Sequence, residues 1–188
     1  MNRLLTMAFA AALLTACASS ISNERNEKTV FVTSESFNGN LGGLKGADDK
    51  CQSEADGPAS IVPSGTYMAW LSDGTDSPNT RFTKSSHPYM LPDGTKIAEN
   101  YTDLTDGSIQ NFINIDPTGK TLGQTPFWTG TNEDGTTAQS IRVCAGWKNL
   151  YTNARGTIGS TGHTLTTWSS QSQGRCNTNR NRLACFQQ

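Results

Sequence analysis

Asn40-Leu41-Gly42-Gly43-Leu44-Lys45-Gly46-Ala47-Asp48-Asp49-Lys50-Cys51 is the stretch in which the chain turns out of extended structure and into a helix. The glycines at 39, 42, 43 and 46 mark a bend. Behind them Ala47, Cys51 and Ala55 recur at i, i+4 and i+8. That spacing puts three small or apolar side chains on one helical stripe and turns Asp48, Asp49, Lys50 and Glu54 away from it. Gly57 and Pro58 stop the helix. Before the bend, Thr29 to Thr33 is β-branched and aromatic and reads as a strand. After the helix, Thr66 to Leu71 reads as a buried strand ended by Ser72-Asp73-Gly74.

Farther out the signals are short. Turn pairs at Asp93-Gly94, Asp106-Gly107 and Thr118-Gly119 leave only brief apolar pieces between them, so the fifty residues after Gly74 are expected to be a long, loop-dominated middle. Pro126-Phe127-Trp128 followed by Asn132-Glu133-Asp134-Gly135 reads as a strand and a tight turn. Ile141 to Trp147 and Arg182 to Phe186 read as two further strands.

The chain opens with Arg3, an apolar run from Leu4 to Leu14, and the small residues Thr15 and Ala16 before Cys17. This is the order of parts of a signal peptide, with a run too short for a permanent span of about 20 residues. Leu14-Thr15-Ala16-Cys17 resembles a bacterial lipobox. Residues 1–16 are therefore expected to be a lipoprotein signal peptide and Cys17 to carry the acyl chains that anchor the protein to a membrane. Residues 17–28 are small or polar and read as a lipidated flexible tether, with the folded domain over residues 29–188. Ala18 after the cysteine favours the outer membrane of a bacterial envelope. A net charge of −1 gives no reason to expect nucleic acid as a partner.

Cys51, Cys144, Cys176 and Cys185 remain, and four cysteines allow three pairings. An oxidising compartment favours two disulfides. Structural zinc wants pairs such as C-x₂₋₄-C, and the nearest two cysteines here are nine positions apart.

Several segments in this order resemble the C-type-lectin-like fold, and within it endostatin and a group of bacterial lipoproteins of unassigned function. They are Phe31-Val32-Thr33, the bend of Asn40 to Asp48 with Cys51 behind it, Gly65-Thr66-Tyr67-Met68-Ala69-Trp70-Leu71-Ser72, Trp128-Thr129-Gly130, Cys144, and Cys176 with Cys185. The resemblance covers roughly Thr29 to Gln188, with Thr75 to Gln124 matching nothing in particular. It implies an α+β domain with its ends side by side, a long loop region projecting from one face, and two nested disulfides, Cys51 with Cys185 and Cys144 with Cys176. Fold alone does not give function.

Sugar-binding lectins of this fold hold calcium with Glu-Pro-Asn or Gln-Pro-Asp and a later Trp-Asn-Asp. Here the nearest segments are Asp116-Pro117-Thr118 and Trp168-Ser169-Ser170, which lack those ligands. Asn132, Glu133 and Asp134 are weak metal candidates, more readily read as a solvated turn. The histidine zinc site of endostatin has no counterpart near the start of this chain. No cofactor motif is present. Neither His87 nor His163 is placed as a base, and no Gly-x-Ser-x-Gly elbow occurs, so no catalytic residue is assigned. Arg175, Arg180 and Arg182 with Asn177, Asn179 and Asn181 form a basic, amide-rich stretch that suits an anionic glycan, because guanidinium forks pair with sulfate or carboxylate. Trp168 and Trp147 offer faces for sugar stacking, whereas Trp70 and Trp128 read as core. The reading is a non-enzymatic binding or adhesion module for a glycan or matrix protein. Its alternatives are an envelope glycan hydrolase and a purely structural lipoprotein.

Overall fold

The computed structural model describes residues 26–139, 142–149, 151 and 153–188. The expected signal peptide and Cys17 lie outside these residues. The described chain is a mixed α+β domain with one sheet. Its elements run β1 (Lys28–Val32), α1 (Gly43–Ala55), β2 (Tyr67–Ala69), α2 (Pro78–Arg81), β3 (Tyr89–Met90), β4 (Lys96–Ala98), α3 (Tyr101–Leu104), β5 (Pro126–Trp128), β6 (Arg155–Ser160), β7 (Ser172–Arg175) and β8 (Arg182–Gln187). Lys28, expected as the last tether residue, is the first residue of β1.

The sheet order is β4-β3-β1-β8-β5-β6-β7, with β2 also on β8. β8 is the axis. One of its edges pairs antiparallel with β1, Phe31 opposite Cys185. The other edge is shared by β5, in parallel through Arg182 and Leu183, and by β2, antiparallel through Cys185 to Gln187. Both faces of these central strands are covered, so their sequences are continuous apolar runs. Val30, Val32, Ala184 and Phe186 enter one core cluster. Phe31, Leu183 and Cys185 enter the other, where Ala47, Cys51 and Ala55 of α1 meet them. The helix begins at Gly43, four residues before the apolar stripe, because Gly42 and Gly43 at φ 86° and 79° take the chain through a left-handed bend.

The middle region is not a projecting loop. Phe82, Leu91, Ile97, Leu104, Ile113 and Ile115 are buried and supply much of the core on the face opposite α1. The backbone there is mostly turns, so no element is long enough to show a period.

The expected strand of Ile141 to Trp147 is absent over its described part; Ile141 itself lies outside the described residues. Cys144, Ala145 and Trp147 have φ of 46°, 54° and 62°, and with Gly146 at 70° they form one left-handed turn closed by Trp147 N donating to Val143 O at 2.9 Å. Left-handed backbone costs about 1–2 kcal/mol per non-glycine residue. Tertiary contacts hold it: the Trp147 indole N–H donates to Ser72 O at 2.6 Å, Leu41 N donates to Trp147 O at 2.9 Å, and Cys144 is bonded to Cys176. The second disulfide joins Cys51 of α1 to Cys185 of β8.

Candidate functional site

The residues singled out in the sequence separate into structural and accessible groups. Trp168 and Trp147 are fully buried, so neither presents a face for stacking. Trp168 packs on Trp70 at a centroid distance of 4.9 Å. Arg182 donates from Nη1 to the carbonyls of Thr33 and Ser34, and Arg180 donates from Nη2 to Ser36 O at 2.6 Å. Their role is to hold the segment after β1. Asn179 Oδ1 accepts from Arg175 N at 2.9 Å, Asn177 is half-buried, and Asn181 is buried in a bridge with Phe37. Asn132 to Gly135 is a closed turn. Gly135 N donates to Asn132 O at 3.1 Å, and Asp134 Oδ1 accepts from both the amide and the hydroxyl of Thr136. No group of three or more His, Cys, Asp or Glu among the described residues is arranged to hold a metal ion.

Only Arg175 of the expected basic stretch stands free, and the fold gives it companions that sequence reading passed over. β6 and β7 pair with Arg155 directly opposite Arg175, both exposed. Opposed side chains in such a pair have Cβ atoms about 4.5–5.5 Å apart, and like charges there are destabilising. One step along the same face Thr157 faces Gln173. With its amide turned so that the oxygen faces Arg142, Gln173 accepts from that guanidinium at 2.8 and 3.0 Å. Arg142, Arg155 and Arg175 thus share one face, and none of them forms an ion pair among the described residues. From Gln139 to Gln188 the sequence has six Arg or Lys and no Asp or Glu.

A second feature lies on the other side of the corner that Arg180 and Arg182 hold. A groove of about 510 Å³ runs between Ser34 to Phe37, the second half of α1, the turn at Gly57 to Ser60, and Pro117-Thr118. Glu54 braces it from α1: its carboxylate accepts from Ser34 N at 2.5 Å and Glu35 N at 3.0 Å. Burial, with the nearby charge of Glu35, pushes Glu54 above the ordinary carboxylate value against those hydrogen bonds. Opposite, Asp116 ties its own loop. Its Oδ1 accepts from Thr118 N at 2.9 Å, Thr118 Oγ1 at 2.7 Å and Lys120 N at 3.1 Å, and its Oδ2 from Ser34 Oγ at 3.2 Å.

Burial pushes Asp116 up, but these donors outweigh it and hold the carboxyl below its ordinary 3.8. The native state therefore binds this proton more weakly than the unfolded chain. Asp116 contributes stability above pH 3.8 that is lost as pH falls through the folded value. Asp116→Asn keeps the shape and loses the charge. It is expected to cost about 1 kcal/mol at pH 7 and progressively less as pH falls below 3.8, read from urea midpoints across that range; a cost that does not fall with pH would refute the assignment.

His87 is exposed and His163 half-buried, with Nε2 of His163 3.5 Å from the Gln124 amide nitrogen. No helix among the described residues is long and apolar enough to cross a membrane. No curated protein matches the chain. Residues 34–164 match the family described as "Protein of unknown function (DUF1554)", and the chain belongs to that family.

Proposed function

We propose that the protein is a lipid-anchored, non-enzymatic binding or adhesion module of the bacterial envelope, held at the outer membrane by Cys17, whose ligand is an anionic glycan or glycan-bearing matrix component. The C-type-lectin-like, endostatin-like fold belongs to the same proposal. It is supported by the helix after a glycine bend, the two nested disulfides, and the adjacent start of β1 and end of β8.

The observation that carries the ligand class is the Arg155–Arg175 pair. Two like charges face each other across neighbouring strands with no carboxylate to relieve them, in a stretch of sequence that contains none. A chain of sulfates or uronates supplies the missing charge bidentately.

Dextran sulfate and unmodified dextran provide the test. The full-length protein in detergent is expected to bind the sulfated polymer, with affinity falling steeply as salt rises, and to ignore the neutral one. Arg155→Glu should weaken binding by about tenfold or more. It also converts a repulsive cross-strand pair into an attractive one, so it should leave the fold as stable or up to about 1 kcal/mol more stable. Equal binding of both polymers, or unchanged binding by Arg155→Glu, would remove the arginine face as the site. Shortening of an envelope glycan on incubation would favour the hydrolase reading instead.

A further inference from the structure

We propose that the groove beside α1 is a second ligand site, separate from the arginine face, and that it takes a small zwitterion, a free α-amino acid or short peptide, with the ligand ammonium on Glu35 and its carboxylate on Lys50.

The groove holds two opposite charges that are both unspent. Lys50 lies over the Phe37 ring at 5.4 Å from the centroid and forms no ion pair among the described residues. Its i+4 neighbour on the helix is Glu54, the residue that ordinarily neutralises a lysine at this spacing. Glu54 is diverted, because both its oxygens are taken by Ser34 N and Glu35 N. The Glu35 side chain has no hydrogen bond or ion pair among the described residues, and Lys50 and Glu35 do not reach each other within 4.0 Å. A ligand that spans them must carry both signs. A polyanion would meet Glu35 and Glu54, a simple cation would meet Lys50, and a neutral sugar would leave both charges unanswered.

The frame is already rigid. Glu54 occupies the N–H groups of the corner while Arg182 and Arg180 occupy its carbonyls, and Ser34 Oγ is tied across to Asp116. Binding therefore has little backbone ordering to offset. Phe37, Pro58 and Pro117 supply apolar wall for a side chain, and the volume of about 510 Å³ lies within the range of small-molecule sites.

Saturation-transfer NMR on the full-length protein in detergent, with the twenty free L-amino acids and a set of Ala-X dipeptides as probes, tests this. At least one zwitterion is expected to bind. Its N-acetyl and C-amide forms, each missing one charge, are expected to bind about tenfold more weakly. Glu35→Gln should abolish the discrimination against the N-acetyl form, and Lys50→Met the discrimination against the amide, with Lys50→Arg restoring it. Circular dichroism and melting temperature report whether each variant keeps the fold. No binding by any probe at 10 mM, or the same preferences in Glu35→Gln and Lys50→Met as in the parent protein, overturns the proposal. Neither outcome depends on whether dextran sulfate binds.

Discussion

Replacing Cys51 and Cys185 together by alanine is expected to lower the stability of the domain by about 4–5 kcal/mol. The bond joins residues 134 apart, and on the chain-entropy account a closure of that length restricts the unfolded chain by about 5 kcal/mol. It also fastens α1 to the central strand, where Cys51 and Cys185 are both fully buried. The Cys144–Cys176 bond spans 32 residues and on the same account contributes about 3.5 kcal/mol, so its removal should cost less. Equilibrium denaturation of the two double variants in guanidinium, under non-reducing conditions, measures both. If the Cys51–Cys185 variant unfolds at the same midpoint as the parent, the outer closure is not a principal support of this fold. Domains are stable by roughly 5–15 kcal/mol in all, so a loss near 5 leaves a protein close to unfolding at body temperature.

Asp48→Ala is expected to destabilise by about 3–5 kcal/mol, the usual cost of removing one member of a largely buried ion pair. Asp48 leaves α1 on its inner flank: Oδ2 pairs with Arg81 and Oδ1 accepts from Ala69 N at 2.9 Å. Arg81, only 12% exposed, also donates from Nη1 to Leu71 O at 3.2 Å. Truncation at Asp48 strands a guanidinium and a strand amide together. Asp48→Asn retains the acceptor for Ala69 and should cost less.

Burial raises the Asp48 carboxyl above its ordinary 3.8, and the charge of Arg81 with the hydrogen bonds recovers only part of that. The folded state therefore holds this proton more tightly than the unfolded chain. Stability from this group falls as pH rises from 3.8 through the folded value, opposite in sign to Asp116. In Asp48→Asn that downward component should vanish from a plot of unfolding free energy against pH. Its persistence would mean that another carboxylate is responsible.

The central strands were legible because both of their faces are apolar: Thr29 to Thr33 and Arg182 to Phe186 each fall on a strand of β8 and its neighbour. The helix was legible from Ala47, Cys51 and Ala55, all of which are buried. β6 and β7 were not. Arg-Gly-Thr-Ile-Gly-Ser and Ser-Gln-Gly-Arg look like turns, yet their glycines are there for clearance. A Cβ at Gly174 would sit 2.9 Å from the Trp128 ring, and one at Gly159 would sit 2.1 Å from Trp168 O. The Trp128 ring at Gly174, and the Trp168 carbonyl with the Phe127 ring at Gly159, fill the space a strand side chain would take, and no local pattern reports that. The same omission hid the candidate site. Arg175 was visible, but its partner Arg155 is twenty residues away and meets it only through the β6–β7 register. Arg180 and Arg182 looked equally available in the sequence, and the carbonyls that absorb them belong to a segment some 145 residues earlier.

The antiparallel pairing of β1 with β8 places Val30 opposite Phe186, and Thr29 N donates to the Gln187 side chain at 3.0 Å. Entry to and exit from the domain are thus neighbours. A unit built this way is portable: it can be spliced into a surface loop of an unrelated host, or strung in tandem, without pulling on its own core. The same geometry carries a practical warning for display work. An affinity tag or fluorophore appended after Gln188 emerges beside the start of β1 and will report on the surroundings of the chain's entry into the domain.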